Sequence, residues 1–168
     1  MTDITGTVTK IDGHANLVIL RRFAATADEV WRELTDSARL ERWIGRWEGD
    51  PRTGHVTFYM TSEAEDAPPA EYTIHECDRP RRFAGDTAPD AGGWHLWFEL
   101  AEDSPGDTVL TFGQRLDVGD DVGSIGPGWE YYLDRLVAAH AGVDVATVDW
   151  EDYFPALQPA YESLVAAD

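Results

Sequence analysis

The chain has 168 residues, 43% of them hydrophobic and 11% aromatic with seven Trp, a length and composition suited to one domain with a bulky core. Asp and Glu outnumber Lys and Arg by 32 to 13, giving a net charge of −19, and a field of that sign repels both nucleic-acid phosphates and anionic membrane surfaces. The single cysteine, Cys77, allows neither an intrachain disulfide nor a CxxC metal knuckle.

The opening MTDITGTVTKIDG has no charged leader followed by an apolar run, and no apolar stretch approaches the roughly 18 residues of a membrane span. A cytoplasmic protein is the expectation. Residues 5–11 and 15–23, TVTKI and NLVILRRF, are β-rich and separated by Asp12-Gly13. They read as one hairpin or one long bent strand. ATADEVWRELTD then predicts a short helix opening at Thr26 or Asp28, with Val30, Trp31 and Leu34 inward. SARLERWIG predicts a second one, capped by Ser37 and ended by Gly45, with Leu40, Trp43 and Ile44 inward.

From 46 to 116 the period is two. GHVTFYMTS, AEYTIHECD, RRFAGDT, GWHLWFEL and DTVLTFGQRL are successive strand candidates, and the breaks between them hold Pro51, Pro68, Pro69, Pro80, Pro89 and Pro105. An antiparallel meander follows. One face collects Val56, Phe58 and Met60, then Trp94, Leu96, Phe98 and Leu100, then Leu110, Phe112 and Leu116. Such a face has to be buried against another layer. That layer is expected from GWEYYLDRLVAAHAG, where Trp129, Tyr132, Leu133, Leu136, Val137 and His140 keep helical spacing and Glu130, Asp134 and Arg135 fall on the wet side. The glycine-rich 119–128 reads as the approach to this helix, with Pro127 near its start. The segment 143–168 carries Trp150, Tyr153, Phe154, Leu157, Tyr161 and Leu164. It is expected to pack back as one or two short helices, an extension of a single domain spanning 1–168.

In this order the pieces LVILRRFAATADEVWRELTDSARLERWIG, YTIHECDRPRRFAGDT and GWEYYLDRLVAAHAG resemble the SRPBCC superfamily, also called START-like or birch-pollen-allergen-like. Within it they resemble the branch named after homologues of the activator of the Hsp-ninety ATPase. The resemblance implies an α+β helix-grip fold: a curved antiparallel sheet wrapped around a long C-terminal helix, with two short helices after the first strand. It also implies a cavity between sheet and helix that takes lipids, polyketides or other hydrophobic molecules in various members. No one reaction is implied, since fold does not fix chemistry.

The residues placed to line that cavity are Phe58, Met60, Tyr72, Trp94, Phe98 and Phe112 from the strands, with Trp129, Tyr132, Leu133 and Leu136 from the helix. Apolar walls with a few hydroxyls suit a small hydrophobic molecule. A filled core is the competing reading.

No catalytic set stands out, and no metal or cofactor is expected. The five histidines form no H-x-x-x-H or H-E-x-x-H pattern, and His55, His75 and His95 are placed at the surface or rim of the sheet. Cys77 reads as a small strand-end hydrophobe rather than a nucleophile. Arg79, Arg81 and Arg82 form the compact basic cluster and are expected to pair with surface acids. Arg21, Arg22 and Arg115 lie within strands, where an inward arginine would meet a polar ligand group and would have to be paired or wet. A binding protein is therefore the first expectation. The alternatives are a cyclase- or hydrolase-like enzyme on a hydrophobic substrate, or a protein that stimulates a chaperone ATPase through an exposed apolar patch. An exposed aromatic tail would also favour a homodimer.

Overall fold

The computed structural model describes residues 3–165. The first two residues and the last three of the expected extension, 166–168, lie outside the described set. Eight strands form one antiparallel sheet in the order β1-β2-β8-β7-β6-β5-β4-β3. They are β1 (Thr7–Ile11), β2 (His14–Phe23), β3 (Arg46–Glu48), β4 (His55–Tyr59), β5 (Ala70–Asp78), β6 (Arg82–Thr87), β7 (His95–Ser104) and β8 (Asp107–Arg115). The helices are α1 (Ala27–Thr35), α2 (Ser37–Leu40), α3 (Val122–Ala141) and α4 (Gln158–Val165). This is the helix-grip arrangement, with α3 lying across the concave face.

Local chemistry accounts for the elements. Asp12 and Gly13 both take positive φ, 50° and 83°, the turn geometry that joins two twisted strands in a tight hairpin. Thr26 and Glu29 form a reciprocal capping box at the start of α1. α2 is shorter than the sequence suggests. It stops at Leu40, and residues 41–44 continue only as turns. Its cap is Asp36, whose carboxylate accepts from the Ala38 and Arg39 amides, while Ser37 instead exchanges hydrogen bonds with Trp47.

The long helix corrects two expectations. It begins at Val122, so Pro127 sits inside it rather than at its start. Gly123, Gly126 and Gly128 are helical too, although each glycine costs about 1 kcal/mol relative to alanine. Packing explains the first two. A Cβ on Gly126 would lie 2.4 Å from the Tyr161 ring, and one on Gly123 would lie 2.8 Å from Glu162. The bare stretch lets α4 dock against α3.

Glu130 is the second correction. Placed on the wet side by helical spacing, it is 1% exposed. It accepts from the Thr5 and Gly6 amides, the Thr5 hydroxyl, the Tyr161 hydroxyl (2.5 Å) and the Arg21 guanidinium (3.1 Å). Arg21 also pairs with Asp134, which accepts from the Tyr153 hydroxyl. The inward arginine thus meets the protein's own carboxylates. The helix turns this face toward the N-terminal segment and 143–165, a partner that helical spacing alone does not reveal. Beyond α3 the chain makes two short 3-10 turns, Val145–Thr147 and Trp150–Asp152, before α4. Leu157 and Tyr161 belong to the core, while Trp150 is 41% exposed and stacks on Phe154.

Candidate functional site

The inner face of the sheet is built in cross-strand rows. Counting inward from one end, the first complete row runs Ile74, Gly85, Leu96, Gln114, Leu17 across β5 to β2. The next runs Phe83, Phe98, Phe112, Ile19, and the third ends in Leu100, Leu110 and Arg21. Trp94 and Leu116 lie one pleat step outside the first row. Gly85 leaves room for the Tyr72 ring, since a Cβ there would sit 2.4 Å from it. Tyr72 stacks on Phe83 and Phe83 on Phe98, at interplanar angles of 10° and 15°.

The two flanks of α3 differ. Toward β1 and β2 the interior is sealed: Leu17, Ile19, Leu110, Leu133 and Leu136 are 0–1% exposed, and the Glu130 network closes the rim. Toward β4–β7 the apolar groups Phe58, Met60, Phe83, Leu96, Tyr132 and the Tyr72 ring are only half-buried. Trp94 is 37% exposed, with its ring edge-on to Trp129 at 6.0 Å. This second flank is a strip of apolar side chains left incompletely covered. Burial, reinforced by the nearby Asp86 charge, pushes the Tyr72 phenol well above its ordinary value. Burial and then Glu63 do the same to Tyr132. The Tyr132 hydroxyl donates to Glu63 (3.2 Å), and Arg135 reaches Ser62 (3.3 Å). These two contacts hold the segment after β4 against the helix.

The ten residues placed at the site from sequence divide accordingly. Phe98, Phe112, Trp129, Leu133 and Leu136 are at most 7% exposed and pack among themselves and with Trp31. Phe58, Met60, Tyr72 and Tyr132 are half-buried on the second flank, and Trp94 stands at its end. Two groups were not anticipated there: Phe83, and Gln114. Gln114 is wholly buried. Its Oε1 accepts the Trp129 indole N–H at 2.7 Å, and its Nε2 has no acceptor among the described residues. A buried donor left so costs about 1–3 kcal/mol. The inward parity of Gln114 with Leu110 and Phe112 was the available signal.

Residues 24–141 match the family model described as activator of Hsp90 ATPase homolog 1-like protein. The chain belongs to this family. The fold recurs in CalU16 from Micromonospora echinospora, with 23% identity, a TM-score of 0.71 and 98% of each chain covered. A conserved protein of unknown function from Enterococcus faecalis, EF2215, is 18% identical, with a TM-score of 0.71 and coverage of 96% of this chain and 91% of that one. DynU16, described as a putative protein in the dynemicin biosynthetic locus, is 16% identical with a TM-score of 0.58, over 77% of this chain and 49% of its own. No curated protein matches the chain.

The remaining candidates of this activator-homologue chain resolve as follows. The outer face of the sheet carries a polar cluster in which Asp86 is clamped by His75 (2.8 Å) and His95 (2.9 Å), with Asp117 3.6 Å from the other side of His95. His75 alternates with the inward Ile74 and so lies on that face, in keeping with its expected place at the surface or rim of the sheet. Burial pushes the Asp86 carboxyl up, but hydrogen bonds from His95 and His75 outweigh it and hold the group below its ordinary value. A concavity of about 570 Å³ opens over the cluster. His55 stands apart, beside Thr73. Among the described residues no group of three or more His, Cys, Asp or Glu is arranged to hold a metal ion, and no helix is long and apolar enough to cross a membrane.

A second, polar concavity of about 340 Å³ lies where α1 and α2 meet the end of α3, around Glu33, Arg39, Arg42 and His140. Arg79, Arg81 and Arg82 pair with Asp28, Asp78, and Glu76 and Glu99. Arg22 pairs with Asp103. Cys77 is exposed, and burial of its thiol, with Asp78 beside it, raises its pKa. That direction disfavours the thiolate a nucleophile needs.

Proposed function

We propose that this protein binds a small, ring-bearing hydrophobic molecule in the groove between α3 and β4–β7. Binding of hydrophobic ligands is common in this fold. The observation that carries the reading for this chain is the asymmetry of α3: one flank is sealed by charge pairs and α4, while the other leaves a row of large apolar side chains half in water. Exposed apolar surface gathered into one strip is costly unless something covers it. Phe58, Met60, Tyr72, Trp94 and Tyr132 are the proposed contacts, with Trp129 as the floor. Phe98, Phe112, Leu133 and Leu136 support that floor from behind.

Titration with the neutral fluorophore N-phenyl-1-naphthylamine tests the reading. Its emission should rise and saturate, and a ligand held at about 100 times its Kd should add about 2.7 kcal/mol of stability. Tyr72→Ala and Tyr132→Ala should weaken the signal, while the outer-face Asp86→Asn should not. No emission change up to the probe's solubility limit, together with an unchanged melting temperature, would refute it.

A further inference from the structure

We infer that the bound molecule carries a hydrogen-bond acceptor, a carbonyl oxygen, and that Gln114 Nε2 donates to it; this rests on the groove reading. Gln114 is the polar member of the first complete inner row, flanked in register by Leu96 and Leu17. The orientation of its amide is set by chemistry. An indole N–H only donates, so the atom 2.7 Å from Trp129 Nε1 has to be the carbonyl Oε1. The amino half then faces away from that bond, buried, with no acceptor among the described residues. The carbonyl half of the amide serves the Trp129 indole, but the amino half is costly to bury unless something accepts from it.

Its position suits a ligand anchor. Gln114 lies one pleat step, roughly 7 Å, inside the end of the groove marked by the exposed Trp94 and the half-buried Leu116. The two rows behind it are closed by Phe112 and Leu110. A molecule sliding in beside Trp129 meets the amide before it meets the sealed core. One directional donor in an apolar wall fixes which end of the ligand enters first. It also discriminates against molecules that have nothing to offer it.

Benzophenone and diphenylmethane differ in one carbonyl and serve as matched probes, read by displacement of N-phenyl-1-naphthylamine. The unmodified protein should bind benzophenone about tenfold more tightly, as one net hydrogen bond implies. Gln114→Met and Gln114→Leu should bind both probes equally, provided circular dichroism shows them folded. Because either variant also loses the Trp129 contact, a second readout uses the unmodified protein alone. The side-chain NH₂ resonances of Gln114 should shift with benzophenone and stay put with diphenylmethane. Equal affinity of the two probes with unshifted NH₂ resonances would mean that a buried water satisfies the amide; that overturns this inference and leaves the groove reading standing. Binding of neither probe would overturn both.

Discussion

The glycines of α3 offer a test of how α4 is held, because two neighbouring positions should respond oppositely to the same substitution. Gly128→Ala adds a methyl that meets nothing within 4 Å. It should therefore yield the full helix-propensity gain of about 1 kcal/mol, or roughly 2–4 °C in Tm for a chain of this size. Gly126→Ala brings the same gain, but its Cβ would lie 2.4–2.6 Å from three atoms of the Tyr161 ring. That ring cannot retreat: it is wholly buried, its hydroxyl is bonded to Glu130 at 2.5 Å, and Gly6 packs against its far side. Overpacking of a tight site costs about 1–3 kcal/mol. Displacing the ring would also forfeit about 2 kcal/mol of burial. The net change for Gly126→Ala should be destabilisation by about 2–4 kcal/mol, with faster proteolytic clipping between α3 and α4. Thermal unfolding of the two variants side by side decides the matter. Equal stabilisation of both would show that α4 does not bear on Gly126 and would refute the account of the glycine-rich stretch.

Two further outcomes are expected. Burial alone would raise the Glu130 carboxyl, but hydrogen bonds from Tyr161 and Thr5 and the Arg21 charge outweigh it, so the folded value lies below the ordinary one. The unfolded chain then binds the proton more readily, so this contribution is complete above the ordinary glutamate range and is lost as pH falls through the folded value. Glu130→Gln should cost about 3 kcal/mol at pH 7 by leaving Arg21 short of a partner, and should flatten the decline of Tm below about pH 5; an unchanged acid slope would contradict the network. Hydrogen exchange on adding benzophenone should slow in residues 61–69 and around Trp94 while the Thr5 and Gly6 amides stay as they were. The reverse pattern would place the ligand on the sealed flank.

Much of the fold is legible in the sequence because its signals are local. The Asp12-Gly13 turn, the helix start at Thr26 and the two-residue alternation of β7 and β8 each act within a few residues, and each predicts the element that forms. What sequence reading misses depends on contacts between distant segments. Glu130 reads as a solvent position because the groups that bury it lie 125 residues upstream at Thr5 and 31 downstream at Tyr161. The glycines at 123 and 126 read as a loop because the ring that fills their space arrives from α4. The bulge between Ile74 and Glu76 shifts the rest of β5 by one position, which alternation cannot foresee. The groove residues share inward parity with the core residues, so periodicity finds both and separates neither. The distinction arises only when one flank of α3 is covered and the other is not.

That division also bears on how a ligand would enter the proposed groove. On the β1 flank α3 is tied by a buried carboxylate with donors from three segments, and Arg21 is shared between Glu130 and Asp134. Moving the helix as a body would separate charges that have no water to replace them, and breaking such a pair costs several kcal/mol. On the groove flank the ties are the Arg135 Nε bond to the Trp43 carbonyl, 2.9 Å, and two looser contacts of 3.2 and 3.3 Å to Glu63 and Ser62, the latter two at a surface where water competes on nearly equal terms. Trp94, preceded by Gly92 and Gly93 at positive φ, is bonded to Thr87 through its backbone, while its ring rests edge-on against Trp129. The cheaper movement is therefore of the segment after β4 and of the Trp94 ring, against a fixed helix. The indole of Trp129, pinned by Gln114, would keep its place while the opposite wall gives way, so a ring entering the proposed groove would meet a preformed floor and a yielding side.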